Sequence, residues 1–235
     1  MLRWPIGLAR VVWHRLLPGG PTVHRSETWG DGRDLPPPVP PELRDPLIQY
    51  VSDGVGDLLH RRYAVAVDGP QRGPQDVIAR FGDEPNCIVP EVAVFERTRG
   101  GPGPLEPGDE FLIRMPAPWD GPVRVIAASP TSVRLATLRG HLEAGQIEFR
   151  ARSDAGGALH FEIESWARPG DRLSDLLYNR LWLAKGIQMT VWVQTCIGVI
   201  NLVGGTARDG VSAETRRVSR RQVARGGQAQ PPTGV

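Results

Sequence analysis

Between Val89 and Ala167 the chain breaks into six short segments, VPEVAVFER, DEFLIRMP, GPVRVIAAS, SVRLATL, GQIEFRAR and ALHFEIESWA, each bounded by Gly, Pro, Asp or Ser. No other feature narrows the fold as far, because runs of this length separated by turn residues form antiparallel strands joined by hairpins. The alternation has a period of two: Phe111, Ile113 and Met115 share one face, Ile147 and Phe149 another, and Leu159, Phe161 and Ile163 a third. For the hairpin across SDAGG, registers whose paired residue numbers sum to 310 or 312 set Phe149 against Phe161 or Ile163 and keep Glu148 and Arg150 with His160 and Glu162. One face of the sheet is therefore expected to be buried and the other wet. RRYAVAVDGP adds an earlier strand with Tyr63, Val65 and Val67 on one face, and PQDVIARF reads as a short helix.

After Gly170 the period changes. Leu173, Leu176, Leu177, Leu181, Ala184, Ile187, Gln188 and Val191 follow one another in steps that predict a helix running to about Val203. Some thirty residues at 1.5 Å each give a helix on the order of 45 Å long. Trp182, Met189, Trp192 and Val193 widen its apolar stripe, so it must be covered on more than one side. Strands first and a helix last predict an α+β fold: a curved antiparallel sheet of about seven strands wrapped around a long C-terminal helix.

The chain has 235 residues, a size that suits one core with loose ends. The expected body is a single domain over residues 42–203, opening with a short helix over 42–60 broken at Gly54 and Gly56. Residues 1–41 are expected to form an amphipathic helix, with Leu2, Ile6, Ala9, Trp13 and Leu16 near one face, followed by a Pro/Gly-rich linker. Arg10, His14 and Arg15 interrupt the apolar run, and no small-residue cleavage site follows, so the segment reads neither as a signal peptide nor as a membrane span. Packing on the body is favoured over contact with a membrane surface or a partner protein. Residues 204–235 are expected to be a disordered Arg-rich tail, since few apolar side chains are there to offset ordering entropy.

Six Arg of the formal charge lie beyond residue 207 against Asp209 and Glu214, leaving the body slightly acidic. A nucleic-acid partner is thereby excluded, because phosphate binding needs a basic face on the folded part. Cys87 and Cys196 match no zinc or redox spacing and suit a reducing cytoplasm. No phosphate-cradling loop, nucleotide fingerprint or nucleophile elbow is present, and neither metal nor cofactor is implied. His160, Glu162 and Glu164 form a row on one strand face, read as solvated charge rather than as metal ligands. Oligomeric state is left open by the sequence.

VPEVAVFERTRG, LEPGDEFLIRMPAPWDGPVRVI, TSVRLATLRGHLEAGQIEFRAR and FEIESWARPGDRLSDLLYNRL together resemble domain-of-unknown-function family 1990, an uncharacterised bacterial and plant family, from about Arg61 to Cys196. The stretch at Gly140, His141, Glu143, Ala144 and Gly145 is similar to that family's Gly-His-Pro-Glu-Ala-Gly signature, with Leu142 standing where proline is expected. The element order also resembles the helix-grip fold of the START-related and pollen-allergen-like superfamily. That resemblance implies a cavity between sheet and helix, while the family implies no activity.

Three functions are compatible with these patterns. In the first, a cytoplasmic protein holds an apolar or lipid-like small molecule against Phe111, Ile113, Met115, Trp119, Phe149, Phe161, Ile163, Gln188 and Trp192, with His141 and Glu143 as polar anchors at the mouth. In the second, the same cavity houses a cyclase, dehydratase or hydrolase in which His141, beside Glu143, is the acid/base. In the third, the N-terminal helix docks a partner. The simpler reading of the His141 turn is structural: Glu143 caps its amides and His141 packs over the hairpin.

Overall fold

The computed structural model describes residues 21–115, 120–170 and 183–227. The six alternating segments fold as β3 (Val94–Arg99), β4 (Glu110–Arg114), β5 (Gly121–Ser129), β6 (Ser132–Thr137), β7 (Glu143–Ser153) and β8 (Leu159–Pro169), each antiparallel to the next. β2 (Leu58–Asp68) pairs with β8, and the β7–β8 register places Phe149 opposite Ile163 and Arg150 opposite Glu162. That is the register whose numbers sum to 312. It also sets Glu148 opposite Glu164, and Arg150 lies against both of these acids and Glu162.

One face of this sheet carries the main core. Tyr63, Val65, Val67, Phe149, Leu159, Phe161 and Ile163 meet a helix, α2 (Leu183–Val203), through Val191, Trp192, Cys196, Val199 and Val203. Those helix positions recur at three and four residues, so one stripe turns to the sheet. A second helix, α1 (Pro74–Asp83), closes the same layer with Val77, Ile78 and Phe81. Its proline sits in the first turn, where no amide donor is needed, and the Asp76 carboxylate accepts from the Gly73 amide at 2.8 Å. Residues 171–182, the first part of the expected helix, lie outside the described residues, as does the expected N-terminal helix.

The structure departs from the sequence reading at both ends. The sheet has nine strands rather than about seven, in the order β1-β9-β2-β8-β7-β6-β5-β4-β3. β1 (Val23–Trp29) comes from the expected linker, and β9 (Thr206–Val218) from the expected disordered tail. The helix is therefore not terminal: β9 follows it, and α3 (Arg220–Gly227) follows β9. β9 lies between β1, to which it is parallel, and β2, to which it is antiparallel. Its backbone is bonded on both sides, and Val211, Ala213 and Val218 are enough to seat it on the two faces.

The outer face is not uniformly wet. Residues 31–57, which hold 3-10 turns in place of the expected helix, cover much of it. One cluster joins Val39 and Ile48 to Ile126, Ala136 and Leu138, and another joins Val51 to Leu58, Trp166, Val218 and Val223. A proline-rich segment suits this position because it brings few amide donors that would need partners. Polar side chains pin it: Arg168 donates to the carbonyls of Val51 (2.9 Å) and Gly56 (2.8 Å), and Arg124 to Asp45 (2.8 Å).

Candidate functional site

The turn between β6 and β7 is built on Gly140. The His141 amide donates to the Leu138 carbonyl at 3.0 Å, and the turn needs φ of +97° at Gly140, where a side chain would be strained. The chain then places the imidazole of His141 directly over Gly121. A Cβ at Gly121 would lie 2.8 Å from Nε2, so only glycine admits the ring there. His141 Nδ1 accepts from the Glu143 amide at 2.9 Å, which puts the ring proton on Nε2. Burial holds the imidazole below its usual pKa, and the neighbouring Glu143 charge opposes that only in part.

The carboxylate of Glu143 reaches α2 and β2. It accepts from Gln188 Nε2 of α2 at 2.9 Å and faces Arg61 Nη1 of β2 at 3.8 Å. Arg61 Nη1 donates in turn to Gln188 Oε1. Both charged side chains are largely removed from water, 6 % exposed for Arg61 and 13 % for Glu143. Ser165 pairs directly with Arg61 across β2 and β8 and lies in the same phase as Phe161 and Ile163. Its hydroxyl and the indole N–H of Trp192, both buried, have no hydrogen-bond partner among the described residues. Tyr63, two residues along β2 from Arg61, is pushed up to about pKa 12 by burial, and burial also raises the Cys196 thiol, so both stay protonated.

The site residues read from the sequence fall into separate groups. Phe111, Ile113, Phe149, Phe161, Ile163 and Trp192 belong to the main core, and Met115 packs partly buried against it. Their rings meet one another: Phe149 lies 4.5 Å from Phe81 and 5.6 Å from Trp192, and Phe95 bridges Phe81 (5.7 Å) to Phe111 (6.0 Å). Gln188 and Glu143 are brought together through their side chains, while the His141 ring bonds the Glu143 backbone amide. Trp119 lies outside the described residues. Arg61 and Ser165 were not singled out from the sequence, although each is a polar residue at a position where the strand alternation demands an apolar one.

The row His160, Glu162 and Glu164 on the outer face is consumed by ion pairs. His160 bonds Asp154 at 2.9 Å, Glu162 holds Arg62 and Arg150, and Glu164 holds Arg150 at 2.6 Å and His60 at 2.8 Å. Among the described residues no group of His, Cys, Asp and Glu gathers to hold a metal. A cleft of about 390 Å³ also lies on this face, above the small residues Ala64, Ala66, Gly210 and Ser212.

A turn carrying His141 and Glu143 against a helix with Gln188 is also what the family comparison covers. Residues 93–195 match the family model described as a domain of unknown function, DUF1990. The DUF1990 match is narrower than the resemblance read from Arg61 to Cys196. It takes in β3 to β8, the Gly140–Gly145 signature and most of α2, and leaves out β2 with Arg61, β1 and β9. The Glu143–Gln188 half of the cluster thus belongs to the DUF1990 segment and the Arg61 half does not. Solved structures similar to this chain include a Thermobifida fusca protein (13 % identity, 63 % of this chain and 97 % of that one, TM-score 0.43). A Helicobacter pylori hypothetical protein (9 %, 59 % and 85 %, 0.44) and Ara h 8.0201 (12 %, 61 % and 99 %, 0.39) are similar as well. The chain matches no curated protein. No helix among the described residues is long and apolar enough to cross a membrane.

Proposed function

We propose that the protein is a helix-grip binding protein that holds a small molecule between the sheet and α2. In this reading Arg61, Gln188 and Glu143 fix the polar end of a mostly apolar molecule. The observation that carries it is the gathering of a guanidinium, a carboxylate and a carboxamide at a buried sheet–helix boundary, beside two donors, Ser165 Oγ and Trp192 Nε1, that no described protein group accepts. Stranding buried donors costs about 1–3 kcal/mol each, and an acceptor oxygen on a ligand removes that cost. The ligand class is therefore a hydrophobic molecule with a carbonyl or carboxylate end. The two cysteines, both unpaired, suit a reducing cytoplasm.

An acid/base role for His141 is less well supported by the geometry. Nδ1 already accepts an internal amide and Nε2 carries the proton, so this imidazole has no lone pair left to take one. The test is native mass spectrometry of the chain purified from its own cells beside the Arg61→Met variant. An added mass present in the first and absent from the second supports the proposal. No added mass, together with no saturable binding of a long-chain carboxylate probe, overturns it.

A further inference from the structure

β1 is an edge strand with no neighbour on its outer side among the described residues. All its side chains past Val23 are exposed, Trp29 to 70 %. The opposite edge, β3, is interrupted where its pairing slips between Arg97 and Arg99, whereas β1 runs seven residues without a slip or a proline. An edge left this regular is a template for another strand.

The backbone phase of β1 is set by β9. The Val211 amide donates to the Thr22 carbonyl at 2.8 Å and the Gly30 amide to the Arg217 carbonyl at 2.9 Å, so the even-numbered residues between them bond inward. Val23, Arg25, Glu27 and Trp29 therefore direct their N–H and C=O outward, and an antiparallel neighbour must set bonding residues opposite bonding residues. For a second copy related by a two-fold axis, three central registers meet this condition, with Arg25, Ser26 or Glu27 on the axis. An axis at Arg25 opposes two arginines and one at Glu27 opposes two glutamates, and like charges directly opposite destabilise a sheet. With Ser26 on the axis, Arg25 faces Glu27 of the second copy and Val23 faces its Trp29, all on one face. The other face then pairs His24 with Thr28 and Ser26 with Ser26.

We propose that β1 is a homodimerisation strand: two copies pair antiparallel about Ser26 and join their sheets into one. The strand's charge and apolar pattern is self-complementary in that register alone of the three. The exposed Trp29, with Arg217 at 5.9 Å from its ring centre, gains Val23 of the second copy as a neighbour.

Sedimentation equilibrium of the full chain tests this, with charge-reversed variants whose exposed positions leave the fold intact. Arg25→Glu and Glu27→Arg are each expected to raise the dimer Kd on the order of ten-fold, and the double variant to restore it. Register is read by cross-linking in a Cys87→Ser background, because Cys87 is exposed. Ser26 forms a non-hydrogen-bonded pair with Cα atoms about 4.5 Å apart, inside the disulfide range of roughly 4.4–6.8 Å. Ser26→Cys is therefore expected to oxidise to a covalent dimer, and His24→Cys to do so only when mixed with Thr28→Cys. A chain that is monomeric at every concentration, or a dimer unmoved by the charge reversals and not cross-linked through Ser26→Cys, overturns the proposal.

Discussion

Arg61 and Glu143 face each other 3.8 Å apart in the layer between sheet and helix, with Gln188 bonded to both. The pair is buried, so each charge is stabilised in part by the other. Removing one partner of a buried ion pair costs about 3–5 kcal/mol. Arg61→Met is expected to destabilise the fold by that order, and Arg61→Met with Glu143→Gln by less than the sum of the two single changes. Urea midpoints for the three variants check the coupling.

Phe149 is fully buried between Phe81 and Trp192. Its ring is core, so Phe149→Ala is expected to cost about 3–5 kcal/mol. Thermal unfolding measures this. A loss below about 1 kcal/mol would mean that the ring lines open space.

His60 stands between two carboxylates, Nδ1 at 2.9 Å from Asp34 and Nε2 at 2.8 Å from Glu164, and stacks on Trp166 at 5.3 Å. Burial disfavours the imidazolium, but the bonds to Glu164 and Asp34 outweigh it and the pKa is raised. A raised pKa stabilises the fold fully below the unfolded value of about 6.5, and that stability is lost as pH rises through the folded value. Unfolding free energy followed from pH 6 upward is expected to fall, with Arg216 and Arg150 still holding the acids. His60→Gln is expected to flatten that slope.

β9 supplies hydrogen bonds to β1 and β2 and buries Val211 and Val218 completely. Those two valines contribute about 1.5–3 kcal/mol each, against a total stability of about 5–15 kcal/mol for a typical domain. A chain ending at Gly205 is expected to be unfolded or insoluble, as circular dichroism and the soluble fraction on expression will show. A well-folded truncated chain would return residues 206–227 to the status of a tail.

The alternation of Phe111 with Ile113 and of Leu159, Phe161 and Ile163 determined the strands from β3 to β8, and the parity of the SDAGG hairpin narrowed its register to two, one of which is found. The 3.6-residue stripe through Val191 and Trp192 likewise marked the helix. These signals are legible because burial against a single face imprints a period on neighbouring residues. β1 and β9 carry little of it. VHRSETW is exposed at six of its seven positions, and β9 draws its order from backbone bonds to strands distant in sequence. Of the cluster at the proposed site, Glu143 and Gln188 were legible as candidates, whereas Arg61 and Ser165 stood out only as polar residues at apolar positions. Tertiary structure decided that Arg61 and Gln188 meet the Glu143 carboxylate while the His141 ring bonds the Glu143 amide, because a charge removed from water selects whatever partner the chain brings within reach.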